Sequence, residues 1–267
     1  MTRLCRRYGV TRAGYYAWRA RPVSAHAKQD RRLSAVMHRI FFAHDECYGS
    51  PRIHEALTRQ GWHVSRRRVA RLMRRAGLRA KAVRGYRAKV GTHRFYDLLP
   101  NRLHTVRVTK PNQVWVGDIT YVAVARRWWY LAVVLDQYSR RVLAWSLTHR
   151  RDARVTGAVL TAAARGRRVR DVIFHSDRGS EYMAAPFRAC VTHLGLLQSA
   201  STRGPEDNAI MESFFHSLKA ELIRGVLFRS PAALRAALRR YVRYYNRTRM
   251  HSALGYRSPI AFETRAA

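Results

Sequence analysis

The chain has 267 residues, enough to bury a sizeable core and to hold one large or two modest domains. Its 52 Lys+Arg against 16 Asp+Glu give a formal charge of +36, an excess that fits a polyanionic partner and says nothing about fold. No apolar run is long enough to span a bilayer and there is no signal-peptide pattern. Cys5, Cys47 and Cys190 form no CxxC pair, so a membrane span and a disulfide scaffold are excluded and a reducing, cytoplasmic setting is expected.

The charge is uneven: residues 1–110 carry 27 basic and 5 acidic residues. Only five of the basic residues are Lys, and Arg forks suit phosphate oxygens, so nucleic acid is the favoured partner. Residues 4–20 read as helix, turn, helix, with Thr11 capping a segment through Tyr15, Tyr16 and Trp18. Residues 21–30, containing Pro22, read as a polar linker. Leu33, Val36, Met37, Ile40 and Phe41 then recur at helical spacing.

Tyr48-Gly49-Ser50-Pro51 breaks that helix, and a second follows with Ile53, Ala56 and Leu57 on one face, stopping at Gly61. Ser65 caps a third helix that turns Val69, Leu72, Met73 and Ala76 inward and ends at Gly77. Its remaining faces carry Arg66, Arg67, Arg68, Arg71, Arg74 and Arg75. Two helices, a short turn and a basic second helix make a helix-turn-helix pattern around 44–79, and those six arginines are the candidate DNA contacts. The alternative is a solvated basic face; so dense a cluster repels itself without a polyanion. His44, Cys47, His54 and His63 lack zinc-ligand spacing and read as scattered surface or core residues. Residues 80–110 have no clear periodicity and read as a linker able to lie along DNA.

The pattern changes at Pro111. Val114–Val124, Trp128–Leu135 and Arg141–Leu147 are β-rich runs separated by hairpin breaks. A helix from about Ala153 to Arg165, a strand Val172–His175, a helix Ala184–Leu194 and a strand Leu196–Ser199 follow. After the loop Ser201–Asp207 comes a long helix with the stripe Met211, Phe214, Phe215, Leu218 and Leu222. Three antiparallel strands followed by alternating helices and strands define a mixed five-stranded α/β sheet, the order of a ribonuclease-H-like domain. The expected division is a helical DNA-binding region at 1–95, a linker at 96–110 and a catalytic domain with a helical tail at 111–267.

Acids are scarce, so three of them stand out. Asp118 lies within the first strand run, where a buried unpaired carboxylate is costly. Asp177 follows directly on the fourth strand, where a crevice opens. Glu212 sits on the long helix, sharing a face with Asn208, His216 and Lys219. Three carboxylates brought together suit hard divalent cations such as Mg2+, and two such ions assist in-line displacement at a phosphodiester. Taken singly, Asp177 also reads as a turn cap at Gly179 and Glu212 as a solvated helix acid. Asp136, followed by Arg140 and Arg141, reads as a structural turn residue.

Together these motifs are specific. Gly9-Val10-Thr11-Arg12-Ala13-Gly14-Tyr15-Tyr16-Ala17-Trp18, Tyr48 to Ile53, Trp115 to Tyr121, His175 to Tyr182, Asp207 to Phe215 and the tail residues Tyr245-Asn246, Arg249, His251 and Leu254-Gly255-Tyr256 span nearly the whole chain. With them the chain resembles the second-open-reading-frame transposases of bacterial insertion sequences, whose catalytic domain is retroviral-integrase-like. The resemblance implies that Asp118, Asp177 and Glu212 are the DDE ligands of two Mg2+ or Mn2+ ions. It implies nicking at element ends by water and strand transfer by the freed 3′-hydroxyl, with Lys219 near the DNA end; the shared helix face makes His216 a further candidate DNA contact. It also implies a homo-multimer on element-end and target DNA, an upstream-frame product as fusion or partner, and a cytoplasmic, nucleoid-associated location. One departure stands out: 34 residues separate Asp177 from Glu212, one fewer than is usual, and the shortening falls at Gly204-Pro205-Glu206. The alternatives are a related nuclease that cuts without joining, or a DNA-binding regulator; the presence of all three acids argues against the regulator.

Overall fold

A computed structural model describes residues 1–81, 99–125, 127–167, 169–201 and 208–266. They form two compact units, Met1–Ala80 and Lys81–Ala267. Among the described residues no helix is long and apolar enough to cross a membrane.

The first unit is helical: α1 (Thr2–Arg7), α2 (Arg12–Ala20), α3 (Ala25–Ala43), α4 (Ser50–Arg59) and α5 (Arg66–Arg75). Side-chain caps from Thr11, Ser24 and Ser65 each accept a hydrogen bond from an amide three residues on, starting α2, α3 and α5. The cap at Ser24 corrects the expected linker at 21–30, because Ala25–Asp30 already belong to α3. Leu33, Met37, Ile53, Leu57, Val69 and Leu72 are buried, as the helical spacing predicts. The turn between α4 and α5 contains Gly61 at φ +81°, a conformation that favours glycine.

The second unit is built on a five-stranded sheet in the order β3-β2-β1-β4-β5. Its strands are β1 (Val114–Val124), β2 (Arg127–Asp136), β3 (Val142–Thr148), β4 (Ile173–Ser176) and β5 (Leu197–Ala200). β1, β2 and β3 are antiparallel neighbours, while β4 runs parallel to β1 and β5 parallel to β4. Helices α6 (Ala153–Ala164), α7 (Ser180–Met183) and α8 (Ala185–His193) alternate with the later strands, and α9 (Ala209–Leu218), α10 (Pro231–Arg247) and α11 (Pro259–Thr264) close the chain. This is the ribonuclease-H-like arrangement expected from the element order.

Alternation along β1 and β2 sorts the core into two layers. Val116, Val133 and Leu135 pack with Phe214, Phe215 and Leu218 of α9 and with Leu234 and Tyr241 of α10. Trp115, Ala132 and Val134 face the other way, against Leu160 of α6 and Phe187 of α8. Residues 99–110 do not behave as a free linker. Leu103, Val106 and Val108 pack against the first of these layers, and the Arg102 amide donates to Ser199 Oγ at 3.0 Å. The remainder of the expected linker, 82–98, lies outside the described residues, as does the loop at 202–207 with Gly204-Pro205-Glu206.

Candidate active site

β1 carries Asp118 past the end of its pairing with β4. The parallel register covers only Val114–Val116 against Ile173–His175, so from Gly117 onward that edge of β1 has no strand neighbour among the described residues. β4 ends at Ser176, and Asp177 follows at the mouth of the same opening. The two acids therefore meet where the sheet splits. Gly117 makes the approach possible: a Cβ built there would stand 2.9 Å from Phe174 Cε2, closer than real Cβ contacts allow. His175 ties β4 to β5, its Nδ1 lying 2.9 Å from Ser199 Oγ.

Asp118 keeps a partial opening to solvent, yet the mass around it desolvates the carboxyl. Burial first, and the neighbouring Asp177 charge second, push its pKa up to about 7, against the hydrogen bond that the Ile119 amide donates at 2.7 Å. Asp177 is raised for the same leading reason, burial, with a bond from the Gly179 amide at 3.0 Å opposing. That bond also makes Asp177 a turn-capping residue, so the structural and the chemical readings of this acid coexist. Among the described residues neither carboxylate has a basic side chain within ion-pair distance.

A fourth acid, Glu181, was not anticipated. It is 4% exposed and accepts two hydrogen bonds from Arg151 at its Oε1, from Nε at 3.0 Å and Nη2 at 2.8 Å. A Cβ at Gly179 would lie 2.7 Å from Glu181 Oε1 and 3.0 Å from Asp177 Oδ1, so both carboxylates flank one glycine. The signal available in sequence was the presence of another acid four residues after Asp177 in a chain so poor in acids.

Glu212 lies in the first turn of α9, a helix that packs on β1, and is partly buried. Among the described residues no three of His, Cys, Asp and Glu are gathered as metal ligands. The structure thus brings Asp118 and Asp177 together as a pair and does not draw Glu212 into a trio with them. One turn before Glu212, Asn208 is buried and its Oδ1 has no hydrogen-bond partner among the described residues. Lys219 opens a π-helical turn, Lys219–Ile223, directly after α9. Burial lowers its pKa while the Asp118 charge opposes that, so the ammonium sits near Asp118. His216 is partly buried one turn earlier. Two desolvated carboxylates at one opening are hard-oxygen donors of the kind a divalent cation takes.

Asp136 has the structural role expected of it. It is fully buried and accepts bonds from the Asn112 amide at 2.7 Å, the Ser139 amide at 2.7 Å and Ser139 Oγ at 3.0 Å.

In the first unit, Arg66, Arg67, Arg71, Arg74 and Arg75 are exposed on α5. Arg68 is committed elsewhere: its Nε donates to Asp30 Oδ1 at 2.8 Å and its Nη2 to Gln29 Oε1 at 3.0 Å. Arg71 reaches the same carboxylate, Nη2 to Oδ2 at 3.0 Å. Burial pushes the Asp30 carboxyl up, and the Arg68 and Arg71 bonds outweigh it, leaving its pKa below the ordinary value.

Comparison with known proteins agrees with this layout. Two families described as Integrase core domain match residues 108–205 and 197–259, and the HTH-like domain family matches residues 28–86. The chain is 39% identical to the Transposase InsF for insertion sequence IS3A of Escherichia coli (strain K12), over 98% of this chain and 93% of that protein. It is 38% identical to the Insertion element IS600 uncharacterized 31 kDa protein of Shigella sonnei, over 97% of each. Among solved structures, the HTLV-2 integrase catalytic core domain in complex with magnesium is similar at 16% identity and a TM-score of 0.44, covering 59% of this chain and 99% of that one.

Proposed function

The chain belongs to the InsF-type family of insertion-sequence transposases, enzymes that transfer polynucleotide strands through an integrase core domain, and from that membership we propose its reaction and the residues that perform it. Water attacks the phosphodiester at an element end, the P–O3′ bond breaks, and a 3′-hydroxyl is freed. That hydroxyl then attacks a target phosphodiester, joining the element and releasing a target 3′-hydroxyl. Two Mg2+ or Mn2+ ions held by Asp118, Asp177 and Glu212 would activate the attacking oxygen and stabilise the leaving one.

The observation that carries this reading is the pair Asp118 and Asp177, desolvated together at the split between β1 and β4 without an ion-pair partner among the described residues. Mutual repulsion and desolvation leave the pair poised for cations. Lys219 supplies positive charge for a DNA phosphate beside Asp118, and His216 lies on the same helix face toward the DNA. Glu212 reaches the pair from α9 by movement of that helix or its side chain once cations and DNA enter.

Residues 1–95 act as the DNA-binding region and 111–267 as the catalytic domain. Arg66, Arg67, Arg71, Arg74 and Arg75 of α5 neutralise phosphate, while Arg68 serves chiefly to hold α5 on α3. The protein works as a homo-multimer on element ends and target DNA, with an upstream-frame product as fusion or partner. The test is cleavage and joining on element-end DNA with Mg2+. Wild type should give both the nicked end and the strand-transfer product, and Asp118→Asn neither. Retention of both products by Asp118→Asn refutes the assignment, and nicking without joining by wild type points to a nuclease.

A further inference from the structure

The β1–β2 ribbon carries two large aromatic rings that the fold leaves in water. Tyr121 is 58% exposed and Trp128 59% exposed. In the antiparallel register Tyr121 faces Tyr130 and Ala123 faces Trp128, so the two rings are diagonal neighbours on one side of the ribbon. Their centroids are 5.0 Å apart at 87°, edge to face. The Lys219 ammonium stands 5.2 Å from the centre of the Tyr121 ring. Tyr121 is three residues past Asp118, hence on the other face of β1, along the stretch that has lost its β4 neighbour, and Lys219 is what links the two.

A cross-strand aromatic pair stabilises a hairpin, and that accounts for the edge-to-face contact. It does not account for both residues remaining more than half exposed, nor for a cation that is shared between Tyr121 and the charge of Asp118. An open aromatic face with a cation alongside, in a chain of charge +36, is the combination that binds single-stranded nucleic acid: the base stacks and the phosphate is neutralised. Paired bases inside a duplex present no free face, so the occupant is a terminal or unpaired base.

We propose that Tyr121 and Trp128 form a stacking platform for the unpaired nucleobase next to the phosphate that is cut, with Lys219 neutralising the adjoining phosphate. The proposal rests on the transposase reading above and adds a base-binding site to it.

The test uses the full-length protein and a duplex of the element's own end, with 2-aminopurine as the nucleotide flanking the cut phosphate. A second duplex carries the probe at an internal paired position. Overall binding is followed by anisotropy and stacking by quenching of 2-aminopurine. Wild type should quench the flanking probe and leave the internal one unchanged. Tyr121→Phe should keep the quenching. Tyr121→Leu and Trp128→Leu should lose most of it and weaken binding by about fivefold or more, at the lower end of what one base stack contributes. Circular dichroism checks that each variant is folded, and both sites are exposed. Undiminished quenching in folded Tyr121→Leu and Trp128→Leu overturns the platform while leaving the transposase reading in place. Failure of wild type to bind the end duplex at all overturns both.

Discussion

Replacing Asp118 by Asn removes the carboxylate that the fold tolerates least, so Asp118→Asn should stabilise the metal-free protein even as it abolishes catalysis. In the folded chain burial and Asp177 raise the pKa of Asp118 from 3.8 to about 7, which corresponds to at most about 4 kcal/mol of destabilisation at high pH. The sign follows from proton affinity. The folded state holds this proton more tightly than the unfolded one, so stability is highest below about pH 4, declines as pH rises to about 7, and is level above that. Partial solvent access at Asp118 reduces the figure, and Asn retains an oxygen to accept from the Ile119 amide; an advantage of about 2 kcal/mol for Asp118→Asn at pH 8 is expected. Urea unfolding followed by tryptophan fluorescence reads it. Four of the six tryptophans, Trp115, Trp128, Trp129 and Trp145, lie on the sheet, so the signal reports this unit. The advantage should vanish near pH 4. Mg2+ at about 100 times its dissociation constant should stabilise wild type by about 2.7 kcal/mol and leave Asp118→Asn unmoved. A variant less stable than wild type at pH 8, or an advantage that persists at pH 4, refutes the reasoning.

The buried pair Arg249–Glu221, with contacts at 2.6 and 2.9 Å and each side chain 4% exposed, should make Arg249→Met lose about 3–5 kcal/mol in urea unfolding. Glu221→Leu combined with Arg249→Met should recover most of that loss, because no charge is left buried alone. Gly117→Ala should cost about 1–3 kcal/mol by crowding Phe174, read as a lowered melting temperature, and Phe174→Leu in the same chain should restore part of it. Around Asp177 the two partners of one ion pair should act in opposite directions. Arg151→Met removes a cation that competes with Mg2+ and should tighten Mg2+ binding in calorimetry, whereas Glu181→Gln should weaken it. Loss of affinity in both variants would mark the pair as merely structural.

What sequence reasoning reached depended on how local the cause was. β1 and β2 were legible because long β-rich runs are broken by a short polar turn, and their edges fall within a residue or so of the observed strands. The start of α3 was not legible, because His26, Lys28, Gln29 and Asp30 look like loop. They are helical through the Ser24 cap and through Asp30, whose partners Arg68 and Arg71 lie on a helix about forty residues away. The same tertiary contact takes up Arg68 and part of the Arg71 guanidinium, and no pattern along the chain distinguishes Arg68 from Arg67. Glu181 escaped notice because its meaning comes from Arg151, a partner 30 residues earlier. For Glu212, spacing located the acid on a helix face, but its distance from Asp118 depends on how α9 seats on the sheet.

The distribution of acids gives the site its clearest physical definition. Among the described residues six carboxylates find a guanidinium, one of them Asp171 beside Arg170 at the surface. Asp30 is held by Arg68 and Arg71, Glu55 by Arg59, Glu181 by Arg151, Glu221 by Arg249, and Glu263 by both Arg141 and Arg167. Asp136 and Asp152 are absorbed into a turn and a helix cap. Among the described residues Asp118 and Asp177 form no ion pair, as Glu212 also does not, although desolvation makes the charges of the two aspartates costly. Folding alone would favour a neutral residue or an arginine at either position. A fold that holds two carboxylates in that condition, beside an open strand edge and a lysine, is complementary to a cation and a phosphate arriving together, because each relieves a charge that folding leaves costly.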